Sequence, residues 1–140
     1  MTIREARPDE RDAVLALRHA VFVDEQGIAA AAAIDEDDAR CTHLVATQAE
    51  EIVGVCRLVP GKAGRLRLGY LAVLPWARGR GVATALLTDA AARALAGGFS
   101  TVVLYSRPGT VALYERNGYV RQGTRVVIGL EHHVMELRVA

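Results

Sequence analysis

The sequence predicts one α/β domain built around a mixed sheet. Three observations predict it. The chain has 140 residues, which is one domain's worth. It is 51% apolar, enough for a single core and too much for a disordered tail. Its apolar pattern switches repeatedly between alternation and 3- to 4-residue spacing, in the order β-α-(α)-β-β-β-α-β-α-β-β.

Each element has a local reason. Thr2 to Arg7 alternates and meets Pro8, which predicts a short first strand. Pro8-Asp9-Glu10 starts a helix, with proline and acids in its first turn. Val14, Leu17, Val21 and Phe22 then share one helical face, and Gly27 ends the region. Ala29 to Ala33 forms a second short helix or a mobile loop, and Asp35 to Asp38 reads as a solvated acidic connector. His43 to Thr47 and Ile52 to Val59 make a hairpin about the turn Gln48 to Glu51. After Pro60 to Gly64, Arg65 to Leu74 is a strand whose far end is fully apolar. Val82 to Ala96 is an alanine- and leucine-rich helix closed by Gly97-Gly98. Thr101 to Tyr105 is a β-branched strand and Thr110 to Asn117 a short helix closed by Gly118. Tyr119 to Val127 and His133 to Val139 complete the sheet. Repeats, linkers and low-complexity tracts are absent, so residues 1–140 read as one unit.

Composition removes several function classes. A formal charge of +1 offers no global attraction to nucleic acid or an anionic membrane. Lys62 is the only lysine, and the abundance of arginine and alanine reads as the mark of a GC-rich genome. Cys56 lies in an apolar run and reads as core, while Cys41 reads as a loop residue. No cysteine pair has zinc spacing, and no metal site is expected. The opening Thr2-Ile3-Arg4-Glu5 lacks an apolar signal core, and no segment reaches the roughly 18 apolar residues of a spanning helix. The expectation is a cytoplasmic protein with no membrane or nucleic-acid partner.

The chemistry-bearing feature lies between a buried strand and a helix. Pro75-Trp76-Ala77-Arg78-Gly79-Arg80-Gly81 connects them. Two glycines allow close backbone approach, and the first helical N–H groups have no intrahelical partner. With the helix dipole and two arginines, such an end binds phosphate oxygens. The pattern is neither a P-loop nor a dinucleotide fingerprint, since it lacks Gly-Lys-Ser/Thr and a third glycine. By itself it is a modest signal, also readable as a plain strand-to-helix turn with solvated arginines.

Two segments carry a resemblance. Leu71-Ala72-Val73-Leu74-Pro75, then Arg78-x-x-Gly81-x-Ala83 and Leu86-Leu87, resembles the acyl-CoA-binding motif of the GNAT superfamily of N-acetyltransferases. Downstream, Ala112-Leu113-Tyr114-Glu115-Arg116-Asn117-Gly118-Tyr119 resembles the family's second signature. Leu17 to Ile28, Asp35 to Asp38, Thr42-His43-Leu44, and Gly129 to Met135 resemble the bacterial branch of small acyltransferases named after ElaA. The resemblance implies a single-domain fold with a mixed, mostly antiparallel sheet of six to seven strands and about four helices. It implies that the sheet is splayed between the strand ending near Leu74 and the strand ending near Tyr105.

It also implies an activity, transfer of an acetyl group from acetyl-CoA to the amine of a small molecule by direct attack in a ternary complex. Backbone amides of Arg78, Gly79, Arg80, Gly81, Val82, Ala83 and Thr84 would cradle the pyrophosphate, and Leu71, Ala72 and Val73 would pair with the pantetheine arm. An N–H near Leu71 would polarise the thioester carbonyl. Tyr114 matches the general acid that protonates the departing thiolate. His132 matches a base found in some small-amine relatives, and an ordinary imidazole suits that task. His133, Glu25 and water are the alternative bases. Arg107 stands where an arginine occurs in relatives acting on carboxylate-bearing amines. Arg18 and Glu25 lie on the element that lines the acceptor side. Such domains recurrently pair as homodimers. Two other readings stay open at this point, a non-catalytic acyl-CoA-binding module and an acetyltransferase acting on a protein or peptide amine.

Overall fold

The computed structural model describes all 140 residues. Seven strands form one sheet: β1 (Thr2–Glu5), β2 (Thr42–Gln48), β3 (Glu51–Pro60), β4 (Arg65–Val73), β5 (Thr101–Ser106), β6 (Val120–Val127) and β7 (Leu130–Arg138). Their spatial order is β1-β2-β3-β4-β5-β7-β6. Only β4 and β5 are parallel neighbours; every other pair is antiparallel. Three α-helices pack on this sheet: α1 (Arg11–Arg18), α2 (Val82–Ala96) and α3 (Val111–Arg116). Helix α1 continues as a wider π-helical stretch over His19–Glu25.

A fourth α-helix does not form. The Ala29 to Ala33 stretch is a single 3-10 turn at Ala30–Ala32. So short a run cannot recover the entropy of nucleating a helix, whatever alanine's propensity. The acids that follow form another 3-10 turn, Glu36–Ala39, capped by the Asp35 carboxylate on the Asp37 N–H at 2.9 Å. The expected solvated connector is thus an ordered structure, with Asp38 only 3% exposed.

The core lies on both faces of the sheet because the central strands are apolar on both. In β2, Leu44 and Ala46 face α2 while Val45 faces α1. Val14, Leu17 and Val21 close the α1 face, and Val82, Leu86, Leu87, Ala90 and Ala94 close the α2 face. Gly54 sets how closely α2 approaches, since a Cβ there would stand 2.8 Å from Val82 Cγ1. That approach fixes where the N-terminus of α2 sits over β3 and β4. No helix is long and apolar enough to cross a membrane.

The sheet opens on one side of its centre. Strands β4 and β5 pair only over Arg65–Arg67 and Thr101–Val103, then separate. Between the Val55–Ala72 and Arg57–Gly69 pairs, β4 carries one extra residue opposite Cys56. Such a bulge bends a strand and redirects its groups. It is marked by Tyr70 at φ 49°, a left-handed conformation uncommon for a bulky side chain. The result is a cleft between the far halves of β4 and β5, with a row of β4 backbone groups on its edge.

Candidate active site

A cavity of about 960 Å³ occupies this cleft. One end is the turn into α2. Gly81 at the α2 N-cap has φ 80° and Gly79 has φ 75°, both left-handed. A Cβ at either would meet nothing within 4 Å, so space is open outside the turn. From Gly79 to Thr84 no backbone N–H donates to another backbone group in the chain. Six consecutive amides therefore face a helix N-terminus without a backbone acceptor. By donor count and by dipole, such an end can hold the oxygens of a phosphate. The residues assigned to cofactor contact line the cavity, with the exception of Arg80.

Arg78 is held from two sides. Its Nε donates to the Val73 carbonyl at 3.0 Å, and its two terminal nitrogens make a bidentate pair with Glu25 at 2.6 Å each. The hydrogen bonds from Arg78 keep the Glu25 carboxyl below its ordinary range. A carboxylate so held is a weaker base, and Glu25 does not line the cavity. Glu25 thus anchors the turn's arginine and does not face the cavity.

Tyr114, on α3, lies on the cavity wall and is 8% exposed. Burial pushes its phenol up to about 12, so it carries its proton throughout the neutral range. Its ring meets Tyr119 edge-on at 5.9 Å. His132 enters the cavity from β7 and is 9% exposed. Its Nδ1 lies 2.9 Å from the Leu130 carbonyl. A carbonyl only accepts, so Nδ1 carries the hydrogen and Nε2 is the free lone pair. Strand alternation takes His133 away from the cavity, which it does not line. Arg107 lines the cavity from the N-cap position of the 3-10 turn before α3.

Arg18 does not reach the cleft. Its side chain is 1% exposed and its two terminal nitrogens are committed, to Asp38 at 2.7 and 3.1 Å and to the Ala33 carbonyl at 2.6 Å. It belongs to a buried charge cluster that no local sequence pattern assembles. Asp38 also accepts from Arg57 at 3.3 Å, and Arg57 bonds Asp35 as well. Both guanidiniums lie over the Tyr70 ring, at 3.7 and 4.6 Å, and the Tyr70 hydroxyl donates to the Ala32 carbonyl at 2.9 Å. Burial raises the Asp38 carboxyl, but the Arg18 hydrogen bond, the Asp35 N–H and the two positive charges outweigh it and bring it down to about 2. The chain carries one signal of this cluster. Arg57 sits inside the apolar run of β3, and a charge there demands a buried partner. Nothing local names that partner.

The opposite wall of the cavity holds another arginine that the sequence alone does not single out. Arg125 on β6 lies 4.9 Å over the Tyr105 ring and donates to the Tyr105 hydroxyl at 3.0 Å.

A split sheet with free amides at a helix N-terminus, a buried phenol and an imidazole along one cleft is an arrangement that acyl transfer from a thioester can use. Residues 7–119 match the Acetyltransferase (GNAT) family, and the chain belongs to that family of N-acetyltransferases. Over 67 residues it is 42% identical to mycothiol acetyltransferase of Rhodococcus jostii strain RHA1, covering 48% of this chain and 21% of that protein. The match thus spans about a fifth of the curated relative's length. A crystal structure of a protein assigned as an N-acetyltransferase from Lactobacillus plantarum superposes with a TM-score of 0.90, at 29% identity, over 99% of this chain and 98% of that one. Escherichia coli ElaA shares the fold, with a TM-score of 0.83 at 21% identity over 96% and 97% of the two chains. So does an aminoglycoside 6'-N-acetyltransferase complexed with coenzyme A, with a TM-score of 0.80 at 16% identity over 100% and 98%.

Proposed function

We propose that this acetyltransferase moves the acetyl group of acetyl-CoA to the amine of a small molecule by direct attack in a ternary complex. The observation that carries the co-substrate half is the run of six unpartnered amides from Gly79 to Thr84, at the mouth of a cleft edged by β4 backbone. The pyrophosphate fits that cradle, with Arg78 beside it. The pantetheine arm fits along Leu71, Ala72 and Val73 as an added strand. A relative of the same fold, the aminoglycoside 6'-N-acetyltransferase, was crystallised in complex with coenzyme A, which supports the choice of co-substrate.

The residues divide the proton work. His132 Nε2 accepts the proton of the attacking amine. The amine nitrogen bonds the thioester carbonyl carbon as its carbon–sulfur bond breaks. The N–H of Leu71, beside the bulge at Tyr70, supports the negative charge that gathers on the carbonyl oxygen. Tyr114 gives its proton to the departing sulfur, and its raised pKa means that the proton is present to give. The Tyr70 hydroxyl ties β4 to the Ala30–Ala32 turn, and Ala31 and Ala32 of that turn line the cavity beside it.

Thiol release from acetyl-CoA across a panel of amines tests this reading. Tyr114→Phe lowers kcat by about 10²-fold, and the acetyl-CoA Kd stays the same. His132→Gln lowers kcat by a similar factor, and the loss shrinks at high pH, where the amine arrives already deprotonated. Unchanged turnover in Tyr114→Phe removes its acid role. A chain that binds acetyl-CoA and acetylates no amine is a binding module.

A further inference from the structure

We propose that the acceptor amine carries a carboxylate, and that Arg125, assisted by Arg107, is the group that selects it. This deepens the acetyl-transfer reading and rests on it. The reasoning begins with the charges on the cavity wall. Asp35 and Asp37 are the only acids that line it. Both are already engaged, Asp35 by Arg57 and Asp37 by Arg67 at 2.9 Å. A cationic acceptor such as a polyamine therefore meets no free carboxylate.

The positive charges are not balanced in the same way. Arg57 and Arg67 are held by those acids, and Arg78 by Glu25. Arg116, the last residue of α3, also lines the cavity without a carboxylate, and the residue after it, Asn117, reaches Thr84 of the turn. The other two lining arginines without a carboxylate are Arg107 and Arg125. Their charge stands in the half of the cleft that also holds His132.

Strand register places Arg125 beside the proposed base. Arg125 and His132 are directly opposed partners in the β6–β7 ladder. Opposed residues project from the same face, with their Cβ atoms about 5 Å apart. Tyr105, on the adjoining strand β5, holds the guanidinium by its ring face and its hydroxyl. A phenol orients the guanidinium and leaves its charge uncompensated. Arginine's fork matches a carboxylate bidentately, so a carboxylate on Arg125 sets an amine a few bonds away against His132 Nε2. Phe22, Ile28, Ile34 and Ile128 line the remaining space, which suits an apolar body on the same molecule.

The test uses N-acetyl-leucine and N-acetyl-leucinamide as product-side probes, titrated calorimetrically into enzyme saturated with coenzyme A. The acid binds about tenfold more tightly than the amide, and in Arg125→Gln the ratio falls to about twofold while coenzyme A affinity stays unchanged. Equal affinities in the unsubstituted enzyme overturn the proposal. A ratio that survives both Arg125→Gln and Arg107→Gln also overturns it. Weakened coenzyme A binding in Arg125→Gln with the ratio intact assigns that arginine to the phosphates instead, and likewise overturns it. Thiol release with leucine, leucinamide and 3-methylbutylamine separates this inference from the reading beneath it. If the two amines without a carboxylate are acetylated as fast as leucine, transfer stands and the selectivity falls. If none is acetylated while N-acetyl-leucine still binds through Arg125, the anion site stands and the transfer reading falls.

Discussion

The two walls of the cleft handle charge in opposite ways. On the wall built by α1, the acidic turn, β3 and β4, the charges are paired within the protein. Arg18, Asp38 and Arg57 are each no more than 3% exposed, and their charges answer one another. On the wall built by β5, β6 and β7, Arg125 rests on a neutral phenol, Arg107 has no ion-pair partner, and His132 presents a free nitrogen. Paired charge specifies structure, because removing one member strands the other in a desolvated site. Unpaired charge at a cavity wall is available to a ligand. The contrast teaches that the number of arginines around a cleft says little until each is matched against its acids.

Substitutions break the contrast most sharply on the paired wall. Asp38→Ala leaves two buried guanidiniums uncompensated and costs about 3–5 kcal/mol, read as a fall of roughly 10–20 °C in Tm. Arg125→Gln costs less than about 0.5 kcal/mol by the same measurement. Equal losses in the two variants would erase the distinction between the walls.

Acid titration sharpens it next. The Asp38 carboxyl is depressed to about 2 in the folded chain, below its ordinary value. A depressed carboxyl stabilises above its unfolded pKa and loses that contribution as pH falls through the folded value. The contribution is on the order of 2 kcal/mol, complete above about pH 5 and gone only near pH 1. Urea unfolding of the parent and of Asp38→Asn against pH reads it, and parallel curves across that window would refute it.

The smallest effect tests the join between the walls and the turn. Glu25→Gln frees Arg78 from an exposed ion pair, so acetyl-CoA binds up to about fivefold more tightly. Weaker binding would mean that Glu25 presents Arg78 to the phosphate instead of competing for it.

Much of the fold and half of the site are legible in the order of residues. Val14, Leu17 and Val21 read as one helical face because helix packing is periodic along the chain. The glycine turn is readable because Gly79 and Gly81 report a backbone need directly. Resemblance leads to Tyr114 and His132, and both face the cavity. The same route draws Arg18 and Glu25 to the acceptor side, and neither lines it. Their partners lie 20 and 53 residues away in the chain. No local pattern reports an ion pair over such separations.

The sequence by itself determined the element order, the apolar far end of β4 and the glycine turn at one end of the cleft. Those features follow from neighbouring residues, whose spacing and backbone freedom act within a few positions. Tertiary structure alone decided how the charges around the cleft are paired. It joined Arg18 and Arg57 to Asp38, took Glu25 to Arg78, and set Arg125 opposite His132 across the β6–β7 ladder. Whether a charge is spent or free depends on what the fold brings within about 4 Å of it, and that is a property of packing rather than of order along the chain.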